Sequence, residues 1–596
     1  MANYLLALSR EDGHEALGQA IDEVGAQFPD DHARSVLPGG WRLDWLARHA
    51  TGDLMPEGQG LFTGVAYDDD AEGLYFGRSG WGSRGARVWA DDDLPGCHVI
   101  GSWRGDRLRV TTDLYRMMPL FTTSAAGLVL VSDSAALLLR LRRRLGLPCT
   151  PDATVIGAMR WPNAMSAQLM STRTPVQEIT YVAVGQRVEV DLTDPCARAE
   201  VVTRPMREVF AWDGQSYGDT IRHGASRIAS IIHTVATLGP EAARLSLSGG
   251  KDSRICLAAA LLSPVGRDSA RFTCTNTLPQ HQRDAEVVQQ LSETFGFPLG
   301  SRFPAVPRSA EIWRVRDPMG LWSLDSALTY YPVKLQAYGL RAKGQFAIAG
   351  FGSELYKGNY GLRSVKTIAD SIATRFPDMA EDFDATCSDY LTRVGIDPAD
   401  PLSAEWHYLG MRNALHGGRF VPVSKLGIRP LQQRSLVGLS KLAAQDRPAE
   451  MSGPKDITED LMATMGPALA AHPFDRPAKD RDPEWVTERL RVIGGALTSD
   501  DLSTYAVHGD PETVQDGPVP ALSALGADGQ EPGAITRERV QARFEVAAAA
   551  VGDSDFATDW VQIVDDARLE LADPAVPVGQ ARGMAGRVLS LGELLR

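Results

Sequence analysis

A chain of 596 residues exceeds the roughly 250–300 residues that one hydrophobic core organises, so at least two domains are expected. Apolar residues at 44% and charged residues at 23% exclude a disordered or fibrous class. A net charge of −14 excludes a general nucleic-acid binder, which needs a cationic surface, but leaves room for a local cationic pocket.

The six cysteines, Cys97, Cys149, Cys196, Cys256, Cys274 and Cys387, are scattered without a CxxC pair. Neither a disulfide framework nor a zinc site is expected from them. The first residues, Met1 to Leu8, are apolar only briefly before Arg10, Glu11 and Asp12, unlike a signal peptide. No apolar run approaches the ~20 residues that span a bilayer. The expectation is a cytoplasmic protein, off the membrane.

Residues 1–205 read as β structure, with strand-like runs at Gly73–Phe76, Cys97–Ile100 and Leu108–Val110 between Gly- and Asp-rich turns. Ser134 to Leu145 reads as a helix whose Arg140, Arg142, Arg143 and Arg144 are expected on a solvated face. Closing strands are expected at Ile179–Val190 and Arg198–Val202.

After about Arg204 the periodicity changes. A helix is predicted over Tyr217–Leu238, a strand over Ala243–Leu247, and an apolar helix over Ile255–Leu262. Strand and helix recur at Ala270–Thr275 and Ala285–Phe295, and another strand at Gln345–Ala349 runs into a Gly-rich loop. This alternation predicts an α/β fold with a parallel sheet, whose ligands bind beyond the carboxyl ends of the strands. From Met379 onward helices dominate. Residues 508–534, rich in Gly, Pro, Asp and Gln, read as an exposed loop, and helices resume at Thr536–Ala550 and Thr558–Leu571.

The chemistry is concentrated in Leu247-Ser248-Gly249-Gly250-Lys251-Asp252-Ser253-Arg254, between the predicted strand and helix. Serine hydroxyls and glycine N–H groups suit a phosphate, with the glycines allowing positive φ and close approach. The following helix offers its positive end to the same anion. Asp252 beside phosphate requires a cation, which assigns it to Mg²⁺. The plain alternative is a Gly turn capped at a helix N-terminus.

Ser248 to Ser253 match the SGGxDS loop of N-type ATP pyrophosphatases, and the chain resembles the asparagine synthetase family. Four further patches carry the resemblance. Thr112 to Phe121 is similar to the family's RDxxGxxPLYY turn, and Leu130 to Leu137 to its FASExxAL. Gly350 to Tyr360 is similar to GEGADELFGGY, and Ile428-Arg429-Pro430-Leu431 to RVPFLD. The resemblance implies an N-terminal glutaminase-like (Ntn) αββα sandwich over 1–205. It implies an ATP-dependent synthetase domain over 206–596, a PP-loop parallel-sheet α/β unit with helical additions.

It also implies site residues. Leu247, Ser248, Gly249, Gly250, Lys251, Asp252, Ser253, Thr275, Gly350 and Gly352 would surround ATP, and Asp252 and Glu354 would hold Mg²⁺. The family's catalytic lysine lies in its late helical region, where Lys479 and Lys455 are the candidates. Lys251 and Arg254 flank the loop and could assist, with Arg254 equally a helix-surface residue. Asp284 is expected to cap its own helix rather than touch ribose. Trp322, Tyr330 and Tyr331 would line an acceptor pocket or pack in the core.

Two departures bear on the reaction. Family glutaminases expose a Cys immediately after the initiator Met, where this chain has Ala2, so glutamine hydrolysis is not expected. Phe351 stands where asparagine synthetase has Glu and β-lactam synthetase has Tyr, and a phenyl ring cannot orient an amine by hydrogen bonding. Such departures resemble the branch of lasso-peptide macrolactam cyclases and β-lactam synthetases. The implied function is ATP- and Mg²⁺-dependent amide formation through an acyl-adenylate, on a peptide or small-molecule carboxylate. Ring closure of a lasso-type precursor would involve a processing protease and a leader-binding protein. The alternatives are a β-lactam-synthetase-like or ammonia-using ligase on a small metabolite, and an inactive ATP-binding regulatory relative.

Overall fold

A computed structural model describes residues 2–10, 14–50, 61–84, 94–274, 281–300, 318–335, 344–418, 427–512, 519–526, 536–576, 580–581 and 583–596. The fold is mixed α/β. Two largely antiparallel sheets precede a parallel sheet in the chain, and helices dominate after it.

One sheet runs Thr180–Tyr181, Phe121–Ala125, Leu128–Ser132, Tyr4–Arg10, Trp41–Ala47, His32–Leu37, antiparallel throughout. Its central strand is buried from Tyr4 to Ser9. Burial on both faces explains a continuous apolar run in place of an alternation. The helix Ala135–Arg144 packs on this sheet, capped by Ser134, whose Oγ accepts the Leu137 N–H at 3.0 Å.

The second sheet runs Glu200–Thr203, Gln186–Asp191, Arg107–Thr112, Gly96–Arg104, Leu61–Asp68, Gly73–Phe76, Ala506–Gly509. Its last strand comes from the far end of the chain and pairs parallel to Gly73–Phe76. The seam is close: a Cβ on Gly80 would lie 2.3 Å from the His508 carbonyl, and the Tyr75 and His508 rings stack at 4.9 Å. Pro520–Leu525 follows as a helix that packs on Glu15–Gln27, with Asp31 accepting the Ala521 N–H at 3.4 Å. The expected exposed loop over 508–534 is therefore corrected where it is described; residues 513–518 and 527–535 lie outside the described residues. Composition misled because this strand is an edge strand with Gly, His and Asp about it.

The arginine run is corrected in part, since Arg144 is exposed as expected and the others are not. Arg140 and Arg142 are buried. Arg140 donates to Glu593 at 2.8 Å, to the Gly526 carbonyl at 2.6 Å and to Ser323 at 2.7 Å. Arg143 donates to the carbonyls of Glu593 and Leu594, at the end of the last helix, Met584–Leu595. Local charge density suggests solvent, but the acceptors arrive from hundreds of residues away.

The turn after Arg107–Thr112 is held by charge. Asp113 accepts the N–H groups of Tyr115, Met117 and Met118 at 3.1, 2.9 and 2.8 Å. Arg116 adopts a left-handed φ of 55°, where the resembled motif has glycine. That conformation costs an L-residue about 1–2 kcal/mol. Its guanidinium offsets the strain by donating to the carbonyls of Thr112, Asp113 and Ala183 at 2.7, 3.0 and 3.2 Å, and to that of Gln186.

The parallel sheet runs Leu299–Gly300, Arg271–Cys274, Ala243–Leu247, Phe346–Ile348, Gly427–Ile428. The helices Tyr217–Thr237, Lys251–Leu262 and Lys455–Met465 pack against one another beside it. The two parts are bonded directly: Tyr67 Oη donates to the Arg429 carbonyl at 3.0 Å and Tyr505 Oη to Asp69 at 2.8 Å. Among the described residues, no helix is long and apolar enough to cross a membrane.

Candidate functional site

Ser248–Ser253 join the central strand of the parallel sheet to the N-terminus of Lys251–Leu262. The loop closes on itself. Ser253 Oγ accepts the Ser248 N–H at 3.0 Å and lies 3.1 Å from Ser248 Oγ, which accepts the Gly250 N–H at 3.3 Å. Gly250 is extended, at φ −84° and ψ 170°, and neither Gly249 nor Gly250 has positive φ. Close approach, not a left-handed turn, is what Gly249 provides: a Cβ there would meet both Asp284 Oδ1 and Asp475 Cβ at 2.9 Å.

Asp284 accepts the Gly249 N–H at 2.8 Å and makes no cap on its own helix, Gln282–Phe295. The expected cap is corrected, because the glycine amide needs an acceptor and Asp284 supplies it. Thr275, placed in the opposite wall from sequence, lies outside the described residues.

The loop from Gly350 to Glu354 crosses this helix start. A Cβ on Gly350 would lie 2.4 Å from the Asp252 carbonyl carbon and 2.5 Å from Ser253 N, so only glycine fits. Gly352 takes φ 115°, and its N–H donates to Glu354 at 3.1 Å. Burial, followed by the Asp252 charge, pushes the Glu354 carboxyl up from its ordinary value. Asp252 Oδ2 is held by Lys357, while buried Oδ1 has no hydrogen-bond partner among the described residues. Two hard carboxylates are thus brought together with acceptor capacity unused. That fits a Mg²⁺ completed by phosphate oxygens and water, as this ion is ordinarily bound. No group of three or more His, Cys, Asp or Glu is gathered to hold a metal alone among the described residues.

The lysines differ in placement. Lys251 pairs with Glu459, which also receives both arms of Arg481 at 2.9 Å. Lys479 donates to Asp475 at 2.7 Å, and the Asp475 N–H donates to the Gly249 carbonyl at 3.3 Å, so Lys479 stands one residue from the loop. Lys455 opens the helix Lys455–Met465 and is exposed. Arg254 is no surface residue. It is buried and donates to the carbonyls of Leu469, His472 and Pro473 at 3.3, 2.6 and 2.9 Å, pinning the segment that carries Asp475; burial lowers its pKa to about 10.

Sequence reasoning missed two groups on the rim. His416 Nδ1 lies 3.0 Å from Tyr330 Oη, and its ring 6.4 Å from that of Phe351. Arg429 lies over Phe351, with Cζ 5.3 Å from the ring centroid. His416 lacked any motif; Arg429 was visible only as part of a matched patch. Trp322, Tyr330 and Tyr331 are all buried, and Tyr330 alone of the three bonds to His416.

At the N-terminus, Ala2 is buried and Asn3 bonds Asp133 through its N–H at 2.8 Å and through its side-chain amide. Cys97 is buried, and burial pushes its thiol well above the ordinary value, so it offers no nucleophile in its place.

Compared with protein-family models and with curated proteins, the chain matches none.

Proposed function

We propose that the chain is an ATP-dependent, AMP-forming ligase that makes an amide bond through an acyl-adenylate. In this reading residues 1–205 are a glutaminase-like sandwich without its nucleophile, and residues 206–596 a PP-loop synthetase unit. The observation that carries it is the strand, Ser248–Ser253 loop and helix at the carboxyl edge of a parallel sheet, with Gly350 pressed onto the helix start.

ATP lays its phosphates along Ser248–Ser253, replacing Asp284 at the Gly249 N–H. Asp252 and Glu354 would hold Mg²⁺, which would supply charge neutralisation at the phosphates, and Lys357, now paired with Asp252, would lie beside it. The substrate carboxylate attacks the α-phosphorus, and pyrophosphate leaves toward Lys479, which stands beside the loop on Asp475. Lys455, exposed at its helix start, is the weaker candidate. An amine then attacks the acyl carbon and AMP departs. When the amine belongs to the same molecule, its high effective molarity drives ring closure. A ribosomal lasso-type precursor, with a protease and leader-binding protein as partners, is the substrate class proposed.

One observation favours a smaller acid. Phe351 is wedged so closely that a Cβ on Gly417 would lie 2.5 Å from its ring, which narrows the acceptor side. Incubation with ATP, Mg²⁺ and candidate precursor peptides, followed by mass spectrometry, separates these readings. AMP with a peptide lighter by one water supports the cyclase. AMP without it points to a small acid or another amine, and ADP or no turnover overturns the mechanism.

A further inference from the structure

Six arginines are buried among the described residues: Arg116, Arg140, Arg142, Arg254, Arg429 and Arg587. Five of them donate to several acceptors each. Arg142 donates to Thr123 and the Pro148 carbonyl at 2.6 and 2.9 Å, and Arg587 to the Met159 and Ser166 carbonyls at 2.7 and 2.8 Å. Arg116, Arg140 and Arg254 are bonded as described above. Arg429 is the exception. It is 8% exposed, its buried Nε lacks a partner as that of Arg254 does, and unlike Arg254 it makes no side-chain hydrogen bond through its terminal nitrogens among the described residues.

A guanidinium remains charged in proteins, and a buried charge without a partner costs several kcal/mol. Burial lowers the Arg429 pKa from its ordinary value without bringing it a bonded carboxylate. What fixes the group is steric and aromatic. The Phe351 ring lies beneath it, and Gly427 lies against it, where a Cβ would sit 2.8 Å from Cζ. Its carbonyl is tied down by Tyr67. The backbone position is equally telling, since Arg429 is the first residue beyond Gly427–Ile428, at the carboxyl edge where such sheets bind ligands. A rigid fork of N–H donors, held flat with its Nε buried and no acceptor among the described residues, matches an oxyanion that arrives from outside.

We propose that Arg429 is a binding residue for a carboxylate or phosphoryl oxyanion at this edge. The inference rests on the ligase reading, in which the substrate carboxylate and the pyrophosphate are the two sources of such an anion. Binding of Mg·ATP, inorganic pyrophosphate and N-acetylglutamate is measured by calorimetry on the full chain and on Arg429→Met and Arg429→Lys. Loss of a charge-assisted hydrogen bond predicts about 10–100-fold weaker binding of one anion to Arg429→Met. Weakened N-acetylglutamate with unchanged pyrophosphate assigns the carboxylate, and the reverse assigns the phosphoryl group. Arg429→Lys keeps the charge, loses the fork, and is expected between the two. The melting temperature of Arg429→Met without ligand is expected at or above that of the parent, because an unpaired charge has gone. Equal anion binding in parent and Arg429→Met overturns the proposal. So does a parent that binds neither anion, or failure of both variants to fold, which would make the guanidinium a piece of the fold. Failure of the ligase reading is separable: it appears as a parent that does not bind Mg·ATP at all.

Discussion

The turn at Asp113–Met118 and the edge around Asp252 and Arg429 are both rich in buried charge, and they treat it in opposite ways. In the turn both charged groups are answered, although the Tyr115 hydroxyl is buried without a partner among the described residues. Asp113 takes three N–H bonds, and Arg116 serves four carbonyls. At the edge, Asp252 Oδ1, the Ser353 hydroxyl and Arg429 Nε are buried without partners among the described residues. Satisfied polar networks make structure, whereas unsatisfied ones call for a further group. The first region serves as framework, and the second is where binding is proposed.

Substitutions sharpen that contrast. Arg116→Ala should be the most damaging to the fold, leaving carbonyls orphaned, with about 3–5 kcal/mol lost in denaturant unfolding. A loss below about 1 kcal/mol would mean the turn does not depend on its charges. Asp252→Asn should do the reverse, keeping the melting temperature while AMP formation falls about 100-fold or more. Near-normal turnover would sink its proposed metal role. Gly350→Ala falls between, because its methyl collides with Asp252 and Ser253 backbone. About 1–3 kcal/mol of stability should be lost together with Mg·ATP binding, and an unchanged protein would show that the crossing is looser than described.

The smallest effect concerns pH. Because the folded Glu354 carboxyl is raised, it favours the fold at acid pH, and that contribution is lost as pH rises through its folded value. Cation binding runs the other way, since the proton must leave first. Thermal stabilisation by Mg·ATP should therefore grow as pH climbs past the ordinary carboxylate value of about 4.3, and Glu354→Gln should flatten the curve. A parent curve already flat would remove Glu354 from the site.

Much of the parallel-sheet region was legible because its signals are local. The alternating run Ala243–Leu247, the glycines and the apolar helix lie within twenty residues, and the structure has the strand at those bounds and the helix at Lys251–Leu262. Reading failed where partners are remote. Nothing near Arg140 announces Glu593, nothing near Asp284 announces Gly249, and Ala506–Gly509 is a strand only because Gly73–Phe76 offers it an edge. His416 and Arg429 each approach Phe351 from a separate segment, a juxtaposition no local pattern encodes.

That late strand has a consequence for synthesis. Gly73–Phe76 leaves the ribosome with one edge open, and its neighbour Ala506–Gly509 is made several hundred residues later. At ~5–20 residues per second the gap lasts on the order of tens of seconds. Through that interval the nascent sheet presents bare backbone to any passing strand. Folding of the first region is thus timed by completion of the last.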